Sequence, residues 1–447
     1  MMNKIMINMA AIAAAAMLFS CSKDYENNAI VVPQPTIGNE VSTQVIYEAN
    51  PRFFAQTNCL NALTSDLQRI SDLGCDIVWI MPVSEPSTAP EAIGSPYSIK
   101  NYDVINPNYG TLADLQNLVS TAHGLGMKVI LDWVCNHTGW DNPWITEHPD
   151  WFMHDKEGNI ISPPDQGWED VAQLDYENPE VAQGMAEAIE YWVTAADVDG
   201  FRFDYADSPF IPASFWIDLA RDLKAMKSDI FLLAESTNYS FYQYGYQLIY
   251  DWNSASTISK AFKGGVNSIV EEATGALAKV PDGDSILRYV FNHDTMAENP
   301  IDSYYGSINA LPAAYVCASM LNGTPMLYSG MDAVGLTGTQ SFFSYKQLTF
   351  SDELTQVYAA INNAFKVSAE VRRGSITNQS SSKILSFIRE IPGQKLYVAV
   401  NLSNQSQSFV TPMSLINTGM NDLLTGESIF LESVMTLPPY GYLIYMN

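Results

Sequence analysis

The feature that most constrains this chain is a regular alternation of two kinds of segment along most of its length. Short apolar runs rich in β-branched and aromatic residues alternate with longer stretches that have the apolar spacing of an α-helix. Eight such runs occur, at residues 45–47, 76–82, 128–134, 200–204, 230–235, 248–252, 287–292 and 325–329. Repeated βα units build parallel sheets. Eight units that close on themselves predict an α/β fold, a (β/α)8 TIM barrel spanning residues 41–370.

Two stretches depart from this alternation. Residues 138–178, after the third run, have little periodicity and predict a short inserted subdomain after strand 3. Four of the nine tryptophans lie there, and they could form either a ligand-stacking surface or the small core of the insert itself. They are Trp140, Trp144, Trp151 and Trp168. From 371 to 447, short alternating runs separated by polar turns predict a C-terminal antiparallel β-sandwich domain.

The first 20 residues have the pattern of an export signal peptide. Lys4 precedes a short apolar run at 5–19, which is too short to span a bilayer. Cys21 follows Ser20, and this junction resembles the lipobox of bacterial lipoproteins, although Phe19 is bulkier than the usual residue there. We therefore expect an exported protein with a lipid on Cys21 and a tether at 21–40, held at a bacterial membrane in the periplasm or at the cell surface. Ordinary signal cleavage is the alternative.

Charge and cysteine usage exclude several function classes. The chain carries 49 acidic and 22 basic residues, a net charge of −27, which would repel nucleic acid and anionic lipid surfaces. The only membrane contact we expect is the lipid anchor. The four remaining cysteines form no CxxC pair and no zinc-ligand spacing, so buried free thiols are expected rather than redox chemistry. The oligomeric state stays open.

Four of the runs end in carboxylates. In a parallel barrel, catalytic side chains come from the C-terminal ends of the strands. Taken singly, an aspartate at such a place often caps the next helix and a glutamate is often merely solvated. Together, however, carboxylates at or near the ends of the third, fourth, fifth and seventh runs, two of them accompanied by a histidine in the same segment, predict one active site. The segments are Asp132 to His137 (DWVCNH), Gly200 to Asp204 (GFRFD), Leu232 to Glu235 (LLAE) and Phe291 to Asp294 (FNHD).

This ordered set, with the upstream segment at 102–111 (YDVINPNYGT), resembles glycoside hydrolase family 13, the α-amylase family. The resemblance runs from about residue 45 to 331. It implies a retaining glycoside hydrolase in which Asp204 is the nucleophile, Glu235 the acid/base and Asp294 a third carboxylate that holds sugar hydroxyls. The favoured substrates are the α-1,4 bonds of starch or malto-oligosaccharides. An α-glucosidase, an α-1,6-glucosidase, a transglycosylase and a non-catalytic glycan-binding lipoprotein are the alternatives.

These roles agree with the physics of glycosidic cleavage, which needs one carboxylate to attack the sugar and one carboxylic acid to protonate the leaving oxygen. Arg202 and Asp204 have the same parity on their strand, so both point into the barrel, and the guanidinium favours a negative charge on Asp204. Glu235 follows the wholly apolar segment 231–234, where desolvation would raise its pKa towards that of a proton donor.

The resemblance also implies residues that bind the sugar at the cleavage point. Tyr97 matches an aromatic platform under the ring. His137 and His293 match positions that hydrogen-bond its hydroxyls, Arg202 lies beside the nucleophile, and Asp132 matches a residue that supports the site.

No cofactor is expected. Many family members bind a structural calcium between barrel and insert, and here only part of that site remains. Asn136 is present, but Gln173 stands at the position of the insert aspartate and Ser208 at that of a histidine. Too little negative oxygen is left for calcium at this place. Calcium elsewhere, and endo against exo action, stay open.

Overall fold

The computed structural model describes residues 40–447. The predicted signal peptide, the lipidation site at Cys21 and nearly all of the predicted tether lie outside the described residues and stay predictions. Within the described part of the chain, no helix has both the length and the apolar character needed to cross a membrane.

Eight parallel strands form a closed barrel, as predicted. In chain order each strand pairs with the next, and the eighth pairs with the first. Barrel strands 1 to 8 are Ile46–Ala49, Ile77–Ile80, Lys128–Val134, Gly200–Asp204, Phe231–Ala234, Leu248–Tyr250, Ser285–Arg288 and Thr324–Tyr328. Strands 8 and 1 therefore lie across the ring from strands 4 and 5.

Strand parity divides the barrel into an inner and an outer core. Alternate side chains of each strand fill the interior, where Ile46, Trp79 and Leu233 belong to one apolar cluster. Their neighbours pack outward, so that the Phe203 ring lies against Trp216 of a surrounding helix. Phe203 faces the helices, as the sequence predicted. Above the inner core the interior becomes polar.

Helices surround the barrel. Five of them are Cys59–Asp72, Leu112–Gly124, Pro179–Ala196, Ala213–Met226 and, after a single 3-10 turn, Leu311–Ser319. The other helices are Trp144–Glu147, Ser240–Tyr244, Trp252–Phe262, Ile269–Leu277, His293–Glu298, Asp352–Val367 and Ala369–Arg372.

Two hairpins rise from the top of the barrel. Ser84–Pro86 pairs with Ile99–Ile105 after strand 2. In the insert after strand 3, His137–Gly139 pairs with Val171–Gln173. Trp144 and Trp151 pack against each other with ring centroids 5.1 Å apart, so these two tryptophans form core rather than a free stacking surface.

The C-terminal region is an antiparallel β-sandwich. A six-stranded sheet contains Ser375–Asn378, Ile384–Ile391, Gln394–Asn401, Tyr442–Met446, Gly419–Asp422 and Ser428–Phe430, in this spatial order. A second sheet pairs Gln407–Val410 with Val434–Leu437. Leu437 and Phe409 of the second sheet pack against Tyr397 and Leu443 of the first.

Some sequence-based boundaries need correction. The seventh run was placed at 287–292, but strand 7 is Ser285–Arg288, so Asp294 does not end a strand. It lies in the first turn of the helix His293–Glu298, because the Asn292 side chain accepts a 2.9 Å hydrogen bond from the Thr295 amide and caps that helix. The domain boundary at 370 falls inside the helix Ala369–Arg372, and the antiparallel strands begin at Ser375.

Cys59, Cys75, Cys135 and Cys317 are buried free thiols, as predicted. Burial raises the pKa of each, that of Cys59 to about 11.

Candidate active site

One buried guanidinium organises the C-terminal end of the barrel. Arg202 is wholly buried in strand 4, and its Nη1 lies 2.8 Å from Asp132 Oδ1 and 3.0 Å from Asp204 Oδ1. Its Nη2 lies 2.5 Å from Glu235 Oε1. Three carboxylates from strands 3 and 4 and the end of strand 5 thus surround one positive charge. Their mutual repulsion is offset by that charge, which fixes the side chains in one geometry.

Strand 4 begins with a glycine that its pairing with strand 5 requires. A Cβ atom added to Gly200 would lie 1.9 Å from the carbonyl oxygen of Phe231, so only glycine fits at this position. At the other end of the pair, the Glu235 amide donates a 3.0 Å hydrogen bond to the Phe203 carbonyl. The two strands therefore deliver Asp204 and Glu235 to the same edge of the sheet.

The surroundings of Glu235 favour the protonated form of its carboxyl group. Its side chain is 11% exposed, and its Oε2 accepts a 2.6 Å hydrogen bond from the Tyr205 amide. Burial raises the pKa of Glu235 to about 8, although Arg202 opposes the shift, and the nearby Asp204 charge adds to it. The sequence predicts the same direction of the pKa shift, because Glu235 follows the apolar segment 231–234. A carboxyl group with this pKa is largely protonated at neutral pH and can donate a proton.

Tyr97 and Asp132 connect strands 2 and 3 to this centre. The Tyr97 hydroxyl donates a 2.9 Å hydrogen bond to Asp132 Oδ2, which also accepts from Trp79 Nε1 at 3.1 Å. Burial raises the pKa of Asp132 to about 6. Asp132 is enclosed by its partners and supports the site instead of facing the cleft.

His293 stacks on Tyr97, with ring centroids 5.3 Å apart, and its Nε2 lies 2.9 Å from the Tyr97 hydroxyl. Its Nδ1 lies 2.5 Å from Oε1 of Glu48, a fully buried glutamate of strand 1. Burial alone would lower the pKa of His293, but the Asp294 and Glu48 carboxylates outweigh it and raise that pKa to about 9. The imidazole is therefore positively charged at neutral pH.

Glu48 is a site residue that the sequence analysis missed. Its Oε1 contacts His293, while its Oε2 has no hydrogen-bond partner among residues 40–447. The sequence offered one signal, because Glu48 directly follows the apolar run at 45–47 and has the same parity as Ile46, which points into the barrel. Because Glu48 fixes the orientation and charge of His293, it is a positioning residue of the site.

Asp294 and His137 complete the predicted set. Asp294 is 38% exposed, and its Oδ1 lies 3.3 Å from His293 Nε2. His137 lies on the insert side, where its ring packs edge-on against Trp168 at 5.5 Å. Burial lowers the pKa of His137, so this imidazole is neutral at neutral pH and can both donate and accept.

The cleft above these residues is a cavity of about 440 Å³. Tyr97, His137, Asp204, Glu235, His293 and Asp294 all line it. Aromatic side chains that the sequence did not single out, or left open, also line it: Trp168, Tyr205, Trp252, Phe342 and Phe343. A second cavity of about 560 Å³ lies between the outer faces of strands 6 and 7 and their helices. None of the predicted catalytic residues lines it, so the smaller cavity is the candidate active site.

At the place of the family calcium site, neutral side chains bind one another. Asn136 Oδ1 accepts a 2.6 Å hydrogen bond from the Ser208 hydroxyl and a 3.1 Å bond from Gln173 Nε2. Asn136 Nδ2 in turn donates to Gln173 Oε1 at 3.1 Å. The amide oxygens that a cation would need are already used, and no carboxylate takes part. These residues do not fit calcium.

We therefore predict that a chelator will change the melting temperature of the protein very little. An ion that bound only the folded state would stabilise it by mass action, and removing that ion would lower the melting temperature. Differential scanning calorimetry with and without EDTA measures this. A fall of more than about 5 °C that added calcium reverses would contradict the prediction.

Comparison with known proteins identifies the family. The catalytic-domain model of the alpha-amylase family matches residues 50–382 of the chain. The chain is 26% identical over 414 residues to alpha-amylase MalA of Haloarcula japonica, covering 86% of this chain and 58% of that protein. It is 23% identical to a cyclomaltodextrinase of Geobacillus thermopakistaniensis, covering 86% of this chain and 70% of that one.

Solved structures agree with this fold. The chain resembles an alpha-amylase from Lactobacillus plantarum with a TM-score of 0.79 and 26% identity, covering 92% of this chain and all of that one. The family model covers barrel strands 2 to 8 and the insert, including every carboxylate around Arg202. The chain belongs to the α-amylase family of glycoside hydrolases.

Proposed function

We propose that the protein hydrolyses α-glucosidic bonds with retention of configuration, and that its preferred substrates are α-1,4-linked malto-oligosaccharides or starch. Asp204 is the nucleophile and Glu235 the acid/base. The observation that carries the proposal is that Arg202 contacts both carboxylates, because this puts a nucleophile and a proton donor side by side on neighbouring strands. Retaining enzymes hold their two carboxyl groups roughly 5 to 5.5 Å apart, too close for a water between carboxylate and sugar, and we assign Asp204 and Glu235 to this class.

In the first step, an Asp204 oxygen attacks the anomeric carbon while the bond to the leaving oxygen breaks. The Glu235 proton passes to that oxygen, and the aglycone, the part of the substrate beyond the broken bond, leaves as an alcohol. A glycosyl ester on Asp204 remains. In the second step Glu235, now a carboxylate, takes a proton from water, which attacks the same carbon and releases Asp204. Two inversions give overall retention.

The surrounding residues hold the sugar in this scheme. The Tyr97 ring supports the sugar, and Asp294, the most exposed of the carboxylates, accepts hydrogen bonds from its hydroxyls. The charged His293 donates to Glu48 and to the Tyr97 hydroxyl, which holds the Tyr97 ring in place, and it offsets the negative charge of Asp294 and Glu48. The positive charge that develops on the sugar ring in the transition state is stabilised by the Asp204 and Asp294 carboxylates.

The configuration of the first product tests the proposal. We expect hydrolysis of starch and maltotriose, with little action on isomaltose or trehalose, and we expect the α-anomer to appear first in a proton NMR time course recorded before mutarotation. An initial β-anomer would remove Asp204 from the nucleophile role. Preferential cleavage of pullulan at α-1,6 bonds, or longer oligosaccharides made from maltotriose, would instead identify the α-1,6-glucosidase or the transglycosylase.

A further inference from the structure

The positions of the catalytic residues on the barrel determine which end of the glucan chain lies on which side of the cleft. Glu235 protonates the leaving oxygen, so the aglycone lies on the side of strands 4 and 5, where Tyr205 and Asp207 line the cavity. The glycone, the part of the chain that ends in the non-reducing end, must then extend towards the opposite side of the ring. Strands 8 and 1 occupy that side, together with the loop after strand 2.

The glycone side is occupied by an aromatic wall. Phe342 lies in the loop after strand 8. It packs edge-on against the stacked rings of Tyr97 and His293, with ring centroids 5.7 Å and 4.9 Å away; these two rings form the platform under the sugar. Phe343 packs on Phe342 at 4.7 Å, and Ile93, from the loop after strand 2, lines the same cavity. These side chains fill the space next to the platform, where a further glycone sugar would have to lie.

Arg52 ties the two halves of this wall together. It is buried just after strand 1, and its Nη1 donates 2.7 Å hydrogen bonds to the backbone carbonyls of Gly94 and Phe343. Its Nε donates to the Tyr109 hydroxyl at 2.9 Å. Burying a guanidinium costs free energy unless its N–H groups find hydrogen-bond acceptors. The loop carbonyls are these acceptors, so the two loops are held where the hydrogen bonds can form.

The Phe342 loop is also anchored on its other flank. The backbone N–H of Gln340 donates a 2.8 Å hydrogen bond to the backbone carbonyl of Met296, in the helix that follows strand 7. The Lys346 amide donates to the Arg52 carbonyl at 2.9 Å. Phe342 therefore stands on a segment fixed at both ends, and moving it aside for a longer glycone would break several of these bonds.

We infer that Phe342 and Ile93 close the glycone end of the cleft, so that the enzyme cleaves a fixed short distance from the non-reducing end of its substrate. This inference rests on the proposed function. Phe342 and Ile93 are then specificity-determining residues. The enzyme acts from the non-reducing end of its substrate, and the aglycone side of the cleft accepts chains of varying length.

Two substrates test the inference, maltoheptaose with a fluorophore at its reducing end and the same compound with a benzylidene group on its non-reducing sugar. We expect the wild-type protein to hydrolyse the free substrate at one bond near the non-reducing end. It should hydrolyse the blocked substrate at least about 100-fold more slowly, because the wall excludes the added group. In Phe342→Ala, the rate on the free substrate divided by the rate on the blocked substrate should be lower by about tenfold or more. The variant should also cleave bonds further from the non-reducing end.

Ile93→Ala keeps the test valid if Phe342→Ala unfolds, because Ile93 is exposed and its loss removes little packing. Phe430→Ala, at an exposed site in the C-terminal sandwich, is the matched control and should leave both rates unchanged. Cleavage of the blocked substrate by the wild type at a similar rate, or at scattered internal bonds, would overturn the closed wall while leaving the proposed function intact. Failure to cleave either substrate would reject both.

Discussion

Asp204→Asn should lower kcat by at least about four orders of magnitude while the protein stays folded. An amide oxygen is a poor nucleophile and cannot form the glycosyl ester, yet asparagine has nearly the same shape and can still accept the hydrogen bond from Arg202. Turnover is measured on an α-glucoside with a chromogenic leaving group, and folding by the melting temperature. Asp282→Asn, at an exposed loop position, is the matched control and should keep wild-type turnover.

Rescue by azide separates a nucleophile from a merely structural residue. In Asp204→Asn the charge is lost from the face of the sugar on which the carboxylate acts, and a small anion can attack from that face in its place. The expected product is the β-glycosyl azide. If Asp204→Asn retains a tenth of the wild-type kcat, or if azide gives no such product from the folded variant, Asp204 is not the nucleophile.

Glu235→Gln should lower kcat on malto-oligosaccharides by about 100-fold to 10,000-fold, because the leaving sugar oxygen no longer receives a proton. On α-glucosyl fluoride, whose leaving group needs little protonation, the first step should be much less affected. Glu432→Gln, exposed in the C-terminal domain, serves as the control. Equal losses on the two substrates would exclude Glu235 as the acid.

The pH profile follows from the same residue. The acid must be protonated, and burial raises the pKa of Glu235 to about 8. For the wild-type protein, kcat/KM on malto-oligosaccharides should therefore be maintained up to about pH 7 and fall as the pH rises through about 8. The residual activity of Glu235→Gln on the same malto-oligosaccharides should lose this alkaline fall, because glutamine does not titrate.

The barrel and its two central carboxylates could be predicted because local sequence carries their signal. A strand shows its period over a few residues, so the inward direction of Arg202 and Asp204 follows from parity alone. Glu235 was equally accessible, since it comes directly after four apolar residues that form strand 5. Sequence position also placed Asp294 near the site, but not its element, because the side-chain cap of Asn292 starts a helix just after the strand has ended.

Contacts across the barrel could not be predicted in the same way. Glu48 and His293 are 245 residues apart, and nothing near either residue specifies the other. Phe342 lies in a loop without periodicity, and its contact with the Tyr97 ring depends on the closure of strand 8 onto strand 1. These residues enter the site only when the ring closes, which is a property of the whole chain.

The buried thiols have a consequence for how this enzyme reaches its folded state. Because Cys59, Cys75, Cys135 and Cys317 are unpaired and their raised pKa values keep them protonated, no covalent cross-link has to form between them during folding. Thiol–disulfide exchange needs a thiolate, and burial withholds it. The body at 40–447 can therefore mature without an oxidant or a disulfide isomerase.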